Sequence, residues 1–456
     1  MISSIIEKNE NFLTHYQRDL QSNIFSPHKK DHTLLLFINF SETDKDRSWV
    51  IDILSSFGNN IDERQGLYIS STEIARASRT LNDYEQEQDL YFNIYLSKEG
   101  LILLGCQDNS WQEILANLNQ DQDLIGQEQL TEDNSTIHAV FLLAHQQKDV
   151  LINQKENIEG LLSLAKSRII HSEFGQVYRK QFYPEQTNGF AIEHFGYADG
   201  ISNPWVTKEN TSIKGKTKTS TYWDSRCSAE DFLVDEPNHH NELRYGSYLA
   251  FRKYQQHVDK FLLHKKALAQ HTGFSEDAAA ALIFGRKTNG DPIETIIKER
   301  LISLNDFNFG TDKCPVFSHI RKVNPRNYQA SAPILRRGVT YGFRQPKNNL
   351  YNVSFDADKI PEQEVGLLFM SFQKDLGIFQ DILVQSQAGE TNVDPILGSL
   401  TKNPMEMIHH IPNVKDASNN KPYTGLGGLI SLKGGINLYA PSISFFKDLN
   451  LQKTLI

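Results

Sequence analysis

The sequence CPVFSHIRKVNPR, at residues 314–326, places one histidine, His319, ahead of a basic run. It is followed by ILRRGVTYG at residues 334–342, which carries two adjacent arginines. A second motif lies upstream, where GYADGISNP at residues 196–204 contains an Asp-Gly pair. An Asp-Gly pair alone is more typical of an ordinary turn, and the chain has 15 histidines. The informative feature is therefore the order in which the motifs occur.

Together these motifs resemble those of the dye-decolourising peroxidases, a haem family. Its pattern is a GxxDG loop, a later histidine that ligates the haem iron, and an arginine shortly after that histidine. Further similar pieces are spread along the chain, at residues 19–24, 246–253, 285–287 and 440–445. The resemblance covers most of the sequence. It implies an α+β fold of two ferredoxin-like units, of the dimeric α+β barrel type, with haem in the C-terminal unit.

The hydrophobic pattern independently favours an α+β protein. Short apolar runs bounded by polar residues predict strands, at residues 33–40, 94–96, 101–104, 137–144, 247–251 and 366–372. Helical spacing predicts two helices, one through Leu151, Ile158, Leu161, Leu162 and Ala165 and one through Val258, Phe261 and Leu262. Strands and helices mix without strict βαβ alternation, which indicates α+β. We expect an N-terminal unit at residues 1–170 and a C-terminal, haem-binding unit at residues 171–456.

Composition excludes several classes of protein. The chain has 456 residues, 39% of them hydrophobic and 23% charged, and no apolar run approaches the ~18 residues of a membrane span. A net charge of −9 gives no electrostatic reason to expect nucleic-acid binding. The N-terminus lacks the pattern of a secretory signal, so we expect a cytoplasmic protein. Cys106, Cys227 and Cys314 form no CxxC pair, which argues against a cysteine zinc site.

The resemblance assigns a role to each motif. His319 would be the proximal ligand of the haem iron, and Asp199 would shuttle a proton between the two oxygens of peroxide. Arg336 would stabilise the peroxide anion with its permanent charge, and Arg337 is the alternative. Adjacent residues of an extended segment point to opposite sides, so only one of the two arginines should enter the pocket.

Other candidate residues have two interpretations each. Arg321 and Arg326 would either pair with the haem propionates or form a solvated basic loop. Leu367 and Phe369 alternate on one strand, so they would either line the distal cavity or simply pack in the core.

Two further roles remain open at the level of sequence. Either Asp381 or Asp394 could accept the hydrogen bond of His319. Bulky donors would deliver electrons at the surface, and the oxidisable side chains in the second half that could serve are Tyr341, Tyr248, Trp205 and Trp223, although packing is the commoner role of such aromatics.

The expected cofactor is one haem b per chain, and it should be non-covalent because no CxxCH attachment motif is present. The resemblance implies a peroxidase that reduces hydrogen peroxide and oxidises phenols, dyes or other small aromatic donors. It is also compatible with a homo-oligomer. The alternative is a haem-binding protein that stores or senses haem or releases its iron. Both functions need His319, but only the peroxidase needs Asp199 and Arg336 together.

Overall fold

The computed structural model of the chain describes residues 3–59, 67–77, 89–120, 130–131, 135–183, 189–208, 224–238, 242–293, 314–325, 333–345, 355–411 and 421–452. The strands are β1 (His32–Asn39), β2 (Tyr91–Leu96), β3 (Ala139–His145), β4 (Arg168–Gln176), β5 (Tyr178–Lys180), β6 (Phe190–Ile192), β7 (Val234–Asp235), β8 (Tyr245–Gln256), β9 (Leu335–Arg336), β10 (Val339–Tyr341), β11 (Gly366–Gln373), β12 (Ile408–Ile411), β13 (Lys421–Thr424) and β14 (Ile430–Ala440).

The α-helices are α1 (Ser3–Tyr16), α2 (Ser22–Phe25), α3 (Asp44–Gly58), α4 (Thr72–Ala77), α5 (Lys98–Leu103), α6 (Gln112–Leu118), α7 (Lys148–Leu164), α8 (Val258–Thr272), α9 (Glu276–Phe284), α10 (His319–Val323), α11 (Leu376–Gln387) and α12 (Ile443–Gln452). Short 3₁₀ helices lie at Asn109–Trp111, Ala229–Asp231, Gly398–Leu400 and Pro404–Glu406. Within the described ranges, no helix is long and apolar enough to cross a membrane.

The main sheet closes on itself. It has ten strands in the order β7-β8-β14-β2-β3-β1-β4-β10-β11-β9, and β8 also pairs with β11. This extra pairing joins the strands from β8 to β11 into a barrel, with β7 and β9 attached at its outside. All the pairings are antiparallel.

Two ferredoxin-like units build the barrel. In the first, β2, β3, β1 and β4 lie side by side, with α3 between β1 and β2 and α7 between β3 and β4. In the second, β10, β11, β8 and β14 repeat this order, with α8 and α9 after β8 and α11 after β11. The prediction of an α+β fold with two ferredoxin-like units is confirmed.

Alternation along the strands separates two layers of core. Inward residues from all eight barrel strands fill the interior, among them Phe37, Leu142, Phe251 and Met370. Outward residues of β1, β2 and β3 pack under the helices of the first unit in a second apolar cluster. Since side chains on a strand alternate between faces, each strand contributes to both layers.

The sequence prediction failed at two places in the first unit. Residues 101–104, predicted as a strand, belong mostly to α5, because Ser97 caps this helix by accepting a hydrogen bond from the Gly100 amide. Leu161 was predicted to share the buried face of α7, but it is exposed while Leu151, Ile158 and Leu162 are buried. The other predicted strands and helices are present.

The division between the units stays a prediction. The expected boundary after residue 170 falls inside β4, which completes the first unit at Gln176. The C-terminal helix α12 packs on α3 of the first unit, where Phe446 lies against Gly58. The chain therefore crosses back to its first unit after β14.

Candidate active site

The Asp199 loop is a tight turn between β6 and the segment that leads to Trp205. Gly196 and Gly200 have φ values of 91° and 76°, a region that glycine adopts without the strain of a Cβ atom. The backbone amide of Asp199 donates to the Ala191 carbonyl at 2.9 Å. The side-chain Oδ1 of Asp199 accepts from the Gly200 amide at 2.6 Å. The side chain stays 32% exposed, so this turn holds a carboxylate at an open surface.

Arg336 reaches this carboxylate from β9. Its Nη1 lies 3.4 Å from Asp199 Oδ1, and its side chain is also 32% exposed. The Asn203 amide group holds the backbone of Arg336 with two hydrogen bonds of 3.0 Å, one donated and one accepted. The loop that carries Asp199 thus also fixes the strand that carries Arg336.

Arg337 points elsewhere. Its guanidinium donates to the carbonyls of Asn23 and Ile24 at 2.8 and 2.7 Å, in α2 of the first unit. Its amide joins the sheet by donating to Met370. The alternation expected for an extended segment therefore brings Arg336, and not Arg337, to Asp199.

His319 is the first residue of α10, and its partner is Asp394. Its Nδ1 lies 2.7 Å from Asp394 Oδ2. Asp394 is fully buried, whereas the alternative, Asp381, is exposed on α11. Nε2 of His319 has no hydrogen-bond partner in the described part of the chain, and 29% of the side chain is accessible. One ring nitrogen is therefore oriented by a carboxylate while the other is available, as in a metal-ligating histidine.

Gly285 and Arg286 connect the two halves of the site. A Cβ atom on Gly285, whose φ is 81°, would lie 2.3 Å from Ile320 Cγ2 and 3.0 Å from Ser318 Oγ, so this glycine packs against both neighbours of His319. The next residue, Arg286, donates to Ser202 Oγ at 2.9 Å, in the Asp199 loop. The end of α9 thus ties the His319 helix to the Asp199 loop.

Arg286 is a buried cation near the partly exposed Arg336. Burial lowers the pKa of Arg286 to about 9, and the charge of Arg336 adds to this effect. Its guanidinium also donates to the Gly290 carbonyl at 2.7 Å. Two neighbouring guanidinium groups raise the local positive potential, which favours anions in this part of the site.

A partly buried carboxylate, that of Glu193, supports the Asp199 loop. Glu193 accepts from the amides of Phe195 and Tyr197, each at 2.9 Å, and from the side chain of Gln256. Burial raises the pKa of Glu193 to about 7, and the like charge of Asp199 adds to the shift. The turn is therefore held by a side chain as well as by its glycines.

Leu367 and Phe369 lie on the outward face of β11, which is also the face of Arg336. Ser371, two residues further along this face, pairs directly with Arg336 across the β9–β11 ladder. Both apolar side chains are only partly buried. Phe369 stacks on Phe379 at 5.5 Å, so it also has a packing role.

The remaining candidates divide between described and undescribed residues. Arg321 donates to the Cys314 carbonyl at 2.6 Å, within its own loop. Tyr341 and Tyr248 are buried, and the Tyr341 hydroxyl donates to Glu364 at 2.9 Å. Trp205 is partly buried. Arg326 and Trp223 lie outside the described residues.

Sequence reasoning missed three supporting residues. Asn203 and Arg286 stood inside quoted motifs, where only the neighbouring positions received a role. Glu193 lies three residues before Gly196, where the GxxDG loop begins, and a lone glutamate there carries no local signal. Each of the three acts through contacts that form only when the chain folds.

Comparisons with known proteins find chains that are similar to this one. Residues 191–403 match the family model for the C-terminal part of Dyp-type peroxidases. The multifunctional dye peroxidase DyP2 of Amycolatopsis sp. is 26% identical over 94% of this chain and 95% of its own length. The dye-decolorizing peroxidase AauDyP1 of Auricularia auricula-judae is 26% identical over 77% of this chain and 74% of its own length.

A solved structure extends the similarity to the whole fold. The crystal structure of a DyP-type peroxidase from Anabaena sp. superposes with a TM-score of 0.73, at 26% sequence identity. The match covers 98% of this chain and 97% of the other. The family match includes the Asp199 loop, His319, Arg336 and Asp394. Over residues 191–403 the chain is therefore similar to the C-terminal part of the DyP-type, or dye-decolourising, peroxidases, and its fold is similar to that of a DyP-type peroxidase over nearly its whole length.

Proposed function

We propose that this enzyme is a haem-dependent peroxidase that reduces hydrogen peroxide and oxidises phenolic, dye-like or other small aromatic donors. The observation that carries the proposal is the Asp199–Arg336 pair, with its 3.4 Å contact and partly open side chains. A haem-storage or haem-sensing protein would need an iron ligand but no such pair. A cytoplasmic location and a homo-oligomeric state remain predictions.

The cofactor would be one non-covalent haem b per chain, held by His319. The donor set fits this group, because Nδ1 of His319 is bonded to the buried Asp394 and Nε2 is available. Asp394 would strengthen electron donation from the imidazole and fix its orientation. When bound, the haem supplies the iron that cleaves the O–O bond and draws electrons from the donor. Leu367 and Phe369 would line the peroxide side, and Arg321 and Arg326 would pair with the propionates.

Asp199 would take the proton from one oxygen of hydrogen peroxide and deliver it to the other oxygen, which would leave as water. Arg336 would hold the peroxide anion and stabilise the negative charge that develops on the leaving oxygen. The 32% exposure of both side chains is compatible with entry of a molecule as small as peroxide.

The proposal is tested by the presence of haem and by its ligation. We expect the purified protein to show a Soret band, and acid–acetone extraction should remove the pigment. His319→Ala should lose the normally ligated haem because Nε2 is its only proposed protein ligand. His410→Ala, at an exposed histidine, is the control. The proposal fails if the pigment stays with the polypeptide after extraction, or if His319→Ala keeps a full complement with the wild-type spectrum.

A further inference from the structure

A fully buried histidine, His409, lies beside the segment that carries Asp394. It belongs to β12, which pairs antiparallel with β13. His409 is fully buried, whereas the next residue, His410, is exposed on the opposite side of the strand. Nothing in the proposed chemistry uses either histidine.

His409 contacts both segments that carry the pair. Its Nε2 donates to the Val393 carbonyl at 2.8 Å, and Val393 directly precedes Asp394. Its ring also meets the ring of Phe317 edge-on at 5.0 Å, two residues before His319. Burial lowers the pKa of His409 to about 4, so the imidazole is neutral. Because a carbonyl only accepts, the ring proton must lie on Nε2.

The carboxylate of Asp394 depends on the backbone that His409 holds. The Asp394 amide donates to the Ser386 carbonyl at 3.0 Å, and its Oδ1 accepts from the Ile396 amide at 2.8 Å. These bonds leave Oδ2 for His319 at 2.7 Å. A shift of residues 393–396 would therefore change the bond between Asp394 and His319.

We propose that His409 is a positioning residue for the Asp394–His319 pair: its bond to Val393 keeps the carboxylate in line with Nδ1 of His319. The inference rests on the proposed role of His319 as haem ligand. A weaker bond to Asp394 makes the imidazole a poorer electron donor, which favours ferrous over ferric iron. Loss of the His409 donor should therefore raise the Fe(III)/Fe(II) midpoint potential.

Five variants of the holoenzyme test this role. His409→Gln keeps a donor near the position of Nε2, whereas His409→Met keeps similar bulk without a donor and His409→Asn is too short to reach Val393. Asp394→Asn shows how large the effect is when the hydrogen bond between Asp394 and His319 is disrupted. His410→Gln is the matched control on the same strand. The readouts are the midpoint potential and the Fe–His stretching frequency of the ferrous protein.

We expect His409→Met and His409→Asn to change the midpoint potential and the Fe–His stretching frequency in the same direction as Asp394→Asn does. Each change should be a measurable fraction of the change caused by Asp394→Asn. His409→Gln and His410→Gln should stay at the wild-type values. The inference is overturned if Met and Asn variants also keep wild-type values, or if Gln shifts as far as Met. Failure of all three His409 variants to fold would overturn it too, since packing would then be the requirement. An absent Fe–His band in the wild type would instead overturn the proposed function.

Discussion

β3 of the first unit and β11 of the second occupy the same place in two sheets of identical strand order. The outward residues of β3, Ala139, Phe141 and Leu143, are fully buried under the helices. The equivalent face of β11 carries Leu367 and Phe369, which are partly exposed. One topology thus gives a closed apolar layer in one unit and an open face in the other.

The faces of β3 and β11 differ in the helices that pack near them. In the first unit, α3 and α7 contribute apolar side chains such as Leu54 and Ile158 directly to the cluster on the sheet. In the second unit, α8 and α9 form a separate cluster with Phe317, which places the His319 segment against these helices. The two units therefore share a topology, but the helices α8, α9 and α10, which lie between β8 and β9 in the chain, give the second unit a different set of contacts.

Replacement of Asp199 should give the largest loss of rate if peroxide reacts at the open face of the second unit. General acid–base groups contribute roughly 10²–10⁴-fold to rates, so Asp199→Asn should slow the reaction with peroxide by about this factor. Stopped-flow mixing with peroxide measures the rate. The acid limb of the pH–rate profile should also disappear, because an amide does not titrate in this range. Asp259→Asn, at an exposed position on α8, is the control; an unchanged profile for Asp199→Asn would move the proton shuttle elsewhere.

The two adjacent arginines offer the next test. Removing a donor that stabilises charge only as the O–O bond breaks costs about 2.7–4 kcal/mol by analogy with oxyanion-hole deletions. Arg336→Leu should therefore react with peroxide at least a hundredfold more slowly while it still binds haem. Arg337→Leu should stay closer to the wild-type rate, because its guanidinium holds α2. The reverse pattern would assign the role to Arg337.

The equivalent strands can be compared directly through leucine-to-alanine variants. Leu143→Ala should lower the free energy of unfolding by about 2–5 kcal/mol, because this side chain is fully buried. Leu367→Ala should cost less stability, since its side chain is partly exposed, but it should alter the peroxide reaction. Urea unfolding and stopped-flow rates separate these effects. Equal losses of stability with no change in rate for Leu367→Ala would make the β11 face ordinary core.

Much of the fold and the main candidate residues could be predicted from the sequence, because the signals for them are local. Apolar runs identified the strands, and the motifs brought Asp199, His319 and Arg336 forward as candidates. Residues 101–104 were misassigned because an apolar run does not reveal the Ser97 cap that starts a helix.

The sequence alone did not predict which residues would contact each other across long stretches of chain. The choice between Asp381 and Asp394 depends on a contact to His319 across 75 residues. The choice between Arg336 and Arg337 depended on register, since Arg336 faces Ser371 across the β9–β11 ladder. A single sequence specifies the alternation of side chains but not which face is covered.

The smallest expected effect concerns the pH dependence of stability at the Asp199 loop. Burial raises the pKa of Glu193 in the folded protein to about 7, above the value of 4.5 for an unperturbed glutamate. A group with a raised folded pKa contributes stability that is fully present below pH ~4.5 and is lost as pH rises through ~7. The wild type should therefore lose about 1–3 kcal/mol of unfolding free energy across this window relative to Glu193→Gln, whose amide stays neutral. The comparison concerns the slope with pH, since glutamine replaces one of the two oxygens that accept from Phe195 and Tyr197 and lowers stability at every pH. Glu406→Gln, at an exposed glutamate, should leave the slope of unfolding free energy with pH unchanged. If the wild type and Glu193→Gln instead show the same slope, the Glu193 carboxylate is solvated in the folded protein, as an open face would allow.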